Sequence, residues 1–410
     1  MSLAATGGPL AAPGAERHWN SLDALRGIAA LLVVTFHCSQ VSSGFAARGN
    51  PFSLAGWTDP WAWLKYTPLR LLVSSGPPAV VLFFALSGFV LSLPFLRSRR
   101  QPGYAEFAVK RVCRIYPPFA FAILVSAALY AVVQPAPVPG LSAWFNEVLW
   151  TRPLSADYVF RNLMMTGLRD DMTLDLVMWS LVHELRISLV FPILFVLTRR
   201  WPAATFAASL LAGVACTAVL AGTDADSLAM SLVDTGRFVV LFVAGILIAG
   251  NLDAVRGAVA RLPSRAAPAF WLAGVGLLMA PGPSVFAYYN FVWGLGAVLL
   301  LMLVVGSPAA DRMLSARPLV WLGKVSYSLY LIHVPLLIAA IHVTYGRLPL
   351  WITIAAVIPA SLACAELMHR FVERPSIRLG RVLCGMRRHG AASPAALPLT
   401  TVRTAWRTRQ

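Results

Sequence analysis

Residues 21–40, SLDALRGIAALLVVTFHCSQ, form a segment that is apolar over enough length to cross most of a bilayer. Arg26 and His37 stand eleven residues apart within it. Because eleven residues at about 100° each make roughly three full turns, both side chains lie on one helix face, separated by a rise of roughly 16 Å. If Arg26 lies at the membrane surface, His37 lies near the midplane, where a titratable imidazole is costly to bury and indicates a functional site.

The composition of the whole chain agrees with a membrane protein. Hydrophobic residues make up 58% of the 410 residues and charged residues only 12%, whereas charged residues are roughly 25% of ordinary soluble domains. The five cysteines are dispersed, without a CxxC pair, so neither a disulfide framework nor a metal site is expected. The chain is therefore predicted to be an all-α integral membrane protein with the lipid bilayer as its environment.

About ten transmembrane helices can be counted from the apolar runs, with the seventh short and its limits open. The predicted helices are 22–40, 78–96, 115–133, 177–197, 203–221, 234–250, 268–280, 285–305, 325–341 and 350–370.

The distribution of basic residues predicts the orientation. With the N-terminus placed in the cytoplasm, 25 Lys and Arg residues fall in inside segments, seven fall in outside segments, and Arg186 and Arg237 lie within helices. Such an excess on one side is the positive-inside pattern. Both termini are therefore predicted to be cytoplasmic. Since the net charge of +17 follows this membrane asymmetry, no nucleic-acid partner is expected.

The predicted organisation is one membrane domain with two short flanks. Residues 1–20 are expected to be a cytoplasmic lead-in, residues 21–380 the membrane domain, and residues 381–410 a basic cytoplasmic tail. The chain contains no internal repeat of the kind that matched transporter halves show.

Several motifs, in order, resemble those of the acyltransferase-3 family of integral membrane acyltransferases. The first is the spacing of Arg26, ten residues and His37, and the resemblance extends from about residue 20 to 380. The further matching stretches are VVLFFALSGFVLS (80–92), WSLVHELRISLVFP (179–192), VSYSLYLIHVPL (325–336) and FVERPSIRL (371–379).

The resemblance implies transfer of an acyl group, usually acetyl, from cytoplasmic acyl-CoA to a hydroxyl on an extracytoplasmic acceptor. Such an acceptor needs a base to take its proton, and imidazole titrates near working pH. We therefore assign His37 as the catalytic base. The alternative is a histidine that only hydrogen-bonds a neighbouring helix. Direct transfer and an acyl-histidine intermediate both fit the residues.

The co-substrate acyl-CoA, with acetyl-CoA as the expected form, would meet basic side chains on the cytoplasmic side. Arg111 and Arg114 form the Arg-x-x-Arg motif that the family carries at this position. Their spacing of three places both guanidinium groups on one helix face, in a geometry suited to phosphate. Arg26 is assigned to the donor as well, although it could simply anchor its helix or pair with Asp23. Positive-inside bias alone could also explain the arginine pair.

Glu184 is the second catalytic candidate, because a carboxylate can orient an imidazole and stabilise its protonated form. The alternative is a structural ion pair with Arg186 or Arg237. A further set of residues is assigned to substrate binding, although interfacial packing and interhelical hydrogen bonds are the favoured explanation for the two tyrosines. The set is Asp23, Trp179, Tyr327 and Tyr330.

The predicted function is thus that of a membrane O-acyltransferase of a bacterial inner membrane, acting on a surface or lipid-linked carbohydrate. A homodimer is compatible with the sequence. The competing class is a multi-pass transporter of a small or lipid-linked solute, which buried charges would also serve. The sequence leaves the acceptor open.

Overall fold

The computed structural model describes residues 19–42, 75–97, 103–278, 280 and 289–390. Of the predicted lead-in, only residues 19 and 20 are described. Most of the connection between the first two helices, residues 43–74, and the tail beyond residue 390 also lie outside the described residues. The regular secondary structure of the described part is helical, apart from one isolated bridge between Ser42 and Leu141, and turns and irregular segments connect the helices.

The helices, numbered in chain order, fall into long apolar segments and short connecting ones. They are α1 (Asn20–Gln40), α2 (Gly76–Arg97), α3 (Tyr104–Val133), α4 (Ala143–Glu147), α5 (Ala156–Leu163), α6 (Met178–Arg200), α7 (Pro202–Ala221), α8 (Leu228–Gly236), α9 (Val239–Gly250), α10 (Leu252–Ala260), α11 (Ala267–Leu278), α12 (Tyr289–Gly306), α13 (Pro308–Leu314), α14 (Arg317–Thr344), α15 (Leu350–Met368) and α16 (Arg374–Gly390).

Each predicted transmembrane helix has a counterpart, so the all-α multi-pass fold is confirmed. Eight helices in the described part are long and apolar enough to cross a membrane, with α8 and α9 counted as one span and α15 and α16 as another. A ninth span would be α12 together with α13, which are bent by 94° relative to each other. The remaining predicted helix, the short seventh, corresponds to α11, which has only 12 residues.

Two predicted boundaries fall inside helices of the structure. The third helix, predicted to begin at residue 115, begins at Tyr104 as α3 and runs for 30 residues. Its first turns are polar and carry a Glu106–Lys110 ion pair at 2.7 Å, four residues apart; such pairs support helix without adding hydropathy. At the other end, α16 runs through the predicted domain boundary at 380/381.

Close packing of α1 on α14 forms the centre of the bundle. A Cβ atom on Gly27 would lie 2.6 Å from the backbone nitrogen of Gly323, and one on Gly323 would lie 2.0 Å from the carbonyl oxygen of Asp23. Glycines at this crossing therefore let the two backbones approach each other. Further along the same pair of helices, His37 contacts His333. Because residue numbers rise together along both helices, α1 and α14 run parallel.

A second glycine crossing joins α2 to α9. A Cβ atom on Gly88 would lie 2.3 Å from the carbonyl oxygen of Phe242, and one on Gly245 would lie 2.3 Å from that of Ala85. Besides α9, α2 also packs on α1. It therefore links the two glycine crossings. We call the end of the bundle where α1 begins the inner end and the opposite end the outer end. The orientation of these ends in the membrane remains a prediction.

Candidate active site

Arg26 and His37 lie at different levels of α1. The helix begins at Asn20, six residues before Arg26, and ends at Gln40, three residues after His37. Arg26 therefore lies about one and a half turns inside the bundle and His37 in the last turn of the helix. The predicted spacing and shared helix face are retained.

Arg26 meets the predicted donor-binding arginines around one cavity. This cavity has a volume of about 70 Å³, and its lining includes the side chains of Arg26, Arg111, Arg114, Glu184 and Tyr327. The lining carries three guanidinium groups against one carboxylate. Three helices supply the arginines and the glutamate, namely α1, α3 and α6. The structure thus brings together residues that are up to 158 positions apart in the sequence.

Glu184 binds Arg111 and not His37. Nη2 of Arg111 donates to Oε1 of Glu184 at 2.9 Å and to Oγ of Ser188 at 2.8 Å. The hydroxyl of Ser87 donates to the same carboxylate oxygen at 3.2 Å. Glu184 therefore orients Arg111, and the predicted partnership of Glu184 with His37 is wrong. The predicted alternative, an ion pair with Arg186 or Arg237, is wrong as well.

Arg26 lies in a mixed electrostatic environment. Its guanidinium is within electrostatic range of the carboxylates of Glu184, Asp23 and Glu373, and it is repelled by Arg114. Glu373 is buried and accepts a hydrogen bond from the hydroxyl of Ser328 at 2.8 Å. These carboxylates hold Arg26 inside the bundle, where an isolated charge would be costly.

A second, smaller cavity continues from the first toward the outer end. Its volume is about 40 Å³, and it shares Arg26, Ser87, Glu184 and Tyr327 with the first cavity. The outer part of its lining includes Ser180 and Tyr330, whose hydroxyl oxygens lie 2.6 Å apart. The ring of Tyr330 lies 6.2 Å from that of His333, measured between centroids. The two cavities therefore extend from the arginines to Tyr330, which packs against His333.

His37 is held by a second histidine. Nδ1 of His37 lies 2.9 Å from Nε2 of His333, and both side chains are buried. Nδ1 of His333 lies 3.0 Å from the carbonyl oxygen of Leu329. His333 is not among the site residues predicted from the sequence. It stands there only within the motif VSYSLYLIHVPL, residues 325–336. The long-range pairing of α1 with α14, which gives His333 its partner, is not encoded in a local pattern.

A segment of the connection between α3 and α6, residues 134–177, which we call the second outer loop, covers the outer end of His37. The ring of Trp144, on α4, stacks on the His37 ring with centroids 5.6 Å apart and planes 18° apart. Ser142 attaches the segment to α1, since its backbone nitrogen donates to the carbonyl of Val41 at 3.0 Å and its hydroxyl to that of Gln40 at 2.5 Å. The same hydroxyl accepts the Phe145 N–H and caps α4. Trp144 was not identified from the sequence as a site residue.

The predicted substrate-binding residues divide into two groups. Tyr327 and Tyr330 line the cavities, and the hydroxyl of Tyr327 donates to the carbonyl of Ile115 at 2.7 Å. Asp23 lies beside the Gly27–Gly323 crossing. Trp179 packs against His183 and Phe238 and is not among the residues that line either cavity.

Arg186, the extra charge on α6, is part of a separate polar network. Its guanidinium donates to the carbonyl of Thr166 at 2.7 Å and to the carbonyl and hydroxyl of Ser231, both at 2.9 Å. Nδ1 of His183 lies 2.9 Å from the hydroxyl of Thr235 in the same network. This network joins the second outer loop to α6 and α8, a structural role that leaves Glu184 free to bind Arg111.

Asp175 is a buried carboxyl at the outer end of the bundle, just before α6. Its side chain is fully buried, and neither carboxyl oxygen has a well-formed hydrogen bond among the described residues, although the Val177 N–H interacts with the carboxyl group. Burial raises the pKa of Asp175 well above its usual range. The neutral acid is therefore favoured in the folded protein.

The fold and the site together define a multi-pass membrane protein with an arginine-lined cavity at one level and a buried histidine pair further out. The chain belongs to the acyltransferase-3 family: the family model described as an acyltransferase domain matches residues 19–370. No solved structure matches the chain significantly.

Three curated proteins are similar to parts of the chain. The O-acetyltransferase PaAT-1 of Phomopsis amygdali is 28% identical over 41% of this chain and 38% of its own length. Nodulation protein 10 of Rhizobium leguminosarum bv. viciae is 31% identical over 38% of this chain and 43% of its own length. The O-acetyltransferase OatA of Staphylococcus aureus is 32% identical over 20% of this chain and 14% of its own length. The chain therefore spans less than half of each of these relatives.

Proposed function

We propose that the protein is a membrane O-acyltransferase that moves an acyl group, with acetyl as the expected one, from acyl-CoA to a carbohydrate hydroxyl. The observation that carries the proposal is that Arg26, which lines the arginine-rich cavity, and His37, which belongs to the buried histidine pair, lie on one face of the same helix. Membership of the family and the names of the two O-acetyltransferases support the reaction type.

The arginine cavity suits the anionic part of the donor. Arg26, Arg111 and Arg114 give the lining an excess of positive charge, and planar guanidinium groups bind phosphate oxygens in pairs. Glu184 and Ser188 fix the orientation of Arg111, which reduces the entropy that binding would otherwise cost. We assign these arginines to the diphosphate of acyl-CoA, entering from the inner end.

The distance between the two parts of the site favours a long donor. Arg26 and His37 are separated by eleven residues on one helix, a rise of roughly 16 Å. A donor bound through its phosphates at Arg26 must therefore carry its reactive acyl carbon on an arm of comparable length. The flexible pantetheine arm of acyl-CoA meets this requirement, whereas a compact acyl phosphate does not.

In the proposed step, the free ring nitrogen of His37 takes the proton of the acceptor hydroxyl. The hydroxyl oxygen forms a bond to the thioester carbonyl carbon, the carbon–sulfur bond breaks, and the thiolate leaves with the electron pair. The proton then passes from His37 to the thiolate, so that an ester and free CoA result. An acyl-histidine intermediate would use the same nitrogen as nucleophile, and single-turnover labelling without acceptor distinguishes the two routes.

The acceptor is proposed to approach His37 from the outer end. Trp144 stacks on His37 there and is half-buried, and an aromatic face of this kind packs well against the apolar face of a sugar ring. With the predicted orientation, the acceptor would be a surface or lipid-linked carbohydrate outside a bacterial inner membrane.

The test uses the full chain in lipid nanodiscs with radiolabelled acetyl-CoA and glycan from a strain that lacks the gene. His37→Ala is expected to reduce acetyl transfer by roughly 10²- to 10⁴-fold, the usual contribution of a positioned base. His369→Ala is the matched control, since His369 is a half-buried histidine that contacts Glu373, and transfer should remain within a few-fold of the unmodified protein. Full transfer by His37→Ala would refute the proposal.

A second arm of the test addresses the acceptor class. Cell-surface glycans from the parent strain and the deletion strain are compared for acyl groups by mass spectrometry. Loss of an O-acyl group in the deletion strain, restored by the intact gene and not by His37→Ala, is expected. An unchanged set of acyl groups would refute a surface glycan as acceptor.

A further inference from the structure

We propose that His333 is a positioning residue that holds His37 in one tautomer, with the proton on Nδ1 and the lone pair of Nε2 available for catalysis. The inference rests on the proposed function for its catalytic meaning. Its structural content, the protonation pattern of two rings, stands on the hydrogen bonds alone.

The argument begins at the backbone of α14. A carbonyl oxygen accepts hydrogen bonds and cannot donate one, so the 3.0 Å contact between Nδ1 of His333 and the carbonyl of Leu329 requires a proton on that nitrogen. In a neutral imidazole only one nitrogen carries a proton. Nε2 of neutral His333 is therefore an acceptor.

The same reasoning fixes the ring of His37. Its Nδ1 lies 2.9 Å from Nε2 of His333, and two ring nitrogens bind each other only if one of them donates. Since Nε2 of His333 accepts, Nδ1 of His37 must donate. Neutral His37 then has no proton on Nε2, and this atom is the base.

The surrounding packing restrains both rings. His37 is 8% exposed and His333 is 1% exposed. Trp144 stacks on one ring face of His37, and the ring of Phe36 makes an edge contact with it at 5.2 Å between centroids. The parallel packing of α1 on α14 at the Gly27–Gly323 crossing fixes the register in which the two histidines meet. Because the rings are held in place, the opposite tautomers would leave an unprotonated Nδ1 of His333 facing the carbonyl oxygen of Leu329, without a hydrogen bond.

A neutral partner has a chemical advantage over a carboxylate at this position. His333 orients His37 as an aspartate orients the histidine of a triad, but it adds no charge to the apolar interior. When Nε2 takes the acceptor's proton, the Nδ1–H bond to His333 remains in place and the charge is stabilised by a charge-assisted hydrogen bond. His333 thus acts without contacting the substrate.

The first experiment reads the tautomer without any substrate. The protein is labelled with ¹⁵N-histidine, reconstituted in nanodiscs at pH 7.5, and the His37 signals are assigned by comparison with His37→Ala. We expect an unprotonated Nε2 and a protonated Nδ1. In His333→Ala, the Nε2-protonated form should become populated. A protonated Nε2 in the unmodified protein, or no change in His333→Ala, would overturn the inference.

The second experiment compares activities of three variants. His333→Ala should lower kcat by roughly 10²-fold or more, as a wrong tautomer does in triad enzymes, while KM for acetyl-CoA stays within about twofold. His333→Gln should recover most of kcat, because its amide oxygen can accept the Nδ1–H of His37. Leu337→Ala, which removes a fully buried side chain one turn further along α14, controls for lost packing.

The outcomes of the two tests are separable. An equal loss of kcat in Leu337→Ala and His333→Ala, or no recovery in His333→Gln, would refute the positioning role even where His37 is essential. If His37→Ala retained transfer, the proposed function would fail, whereas the ¹⁵N spectrum would still report on the tautomer.

Discussion

Gly27→Ala tests whether the close crossing of α1 and α14 sets the geometry of the histidine pair. Gly27 lies one residue after Arg26 and ten residues before His37, so it is placed between the two parts of the proposed site. The substitution adds one methyl group and leaves every polar group in place. Any effect on activity must therefore come from a shift of the two helices.

The size of the shift follows from the contacts. The added Cβ would lie 2.6 Å from the backbone nitrogen of Gly323, whereas ordinary contact begins at 3.4 Å, a difference of about 0.8 Å. Backbone atoms cannot rotate away, so α1 and α14 must separate. If the shift reached His37 undiminished, its 2.9 Å contact with His333 would lengthen to about 3.7 Å, beyond the range of a hydrogen bond.

The expected results are a loss of about 1–3 kcal/mol in stability, typical of overpacking, and a roughly 10²-fold loss of kcat, typical of a misplacement near 1 Å. The assays are thermal unfolding in nanodiscs and release of CoA at saturating donor. Gly276→Ala on α11 is the matched control, since a Cβ there meets nothing within 4 Å, and it should be neutral or stabilising by about 0.5–1 kcal/mol. Full activity of Gly27→Ala would refute the reasoning.

Three further predictions concern other parts of the molecule. Asp175→Asn should be more stable than the unmodified protein at pH 7 and equally stable below about pH 4. The raised pKa of Asp175 lowers the stability of the unmodified protein as the pH rises above the pKa that this carboxyl has in the unfolded chain. Unfolding curves with parallel pH dependence would contradict this. Arg111→Ala should destabilise the protein by about 3 kcal/mol, since Glu184 loses its partner, and Glu184→Ala added to it should recover part of the loss; strictly additive unfolding free energies would count against the pair. Trp144→Ala should raise KM for the acceptor roughly tenfold and leave KM for acetyl-CoA unchanged, and an equal rise in both constants would show that the stacking on His37 has no specific bearing on the acceptor.

Much of the helical layout could be predicted from the sequence, because hydropathy over some 20 residues is a local property. The predicted start of α3 was late, since the helix extends through a polar stretch with an ion pair that hydropathy does not detect. For the short helix α11, the sequence leaves the limits open. Its 12 residues have the hydropathy of a transmembrane helix but are fewer than the roughly 20 residues that a span requires.

The site could be predicted only in part. His37 and the arginines stood out because charged and titratable groups are costly in apolar helices. Their partners did not, since the pairing depends on which helices pack together. For Glu184, the sequence offered Arg186 and Arg237 as ion-pair partners, whereas the packing of α3 against α6 places Arg111 beside it. For His37, the partner His333 lies 296 positions away.

The separation of the two charged regions follows from the chemistry of a buried base. A carboxylate beside a buried imidazole favours the protonated imidazolium, which has no lone pair on Nε2 and cannot take a proton from a hydroxyl. Glu184 instead neutralises Arg111. Arg26, which lies roughly three helical turns before His37 on α1, is near the same carboxylate. His37 is left with a neutral partner that accepts its Nδ1–H. The bundle thereby keeps the charges needed to hold an anionic donor away from the nitrogen that must remain unprotonated.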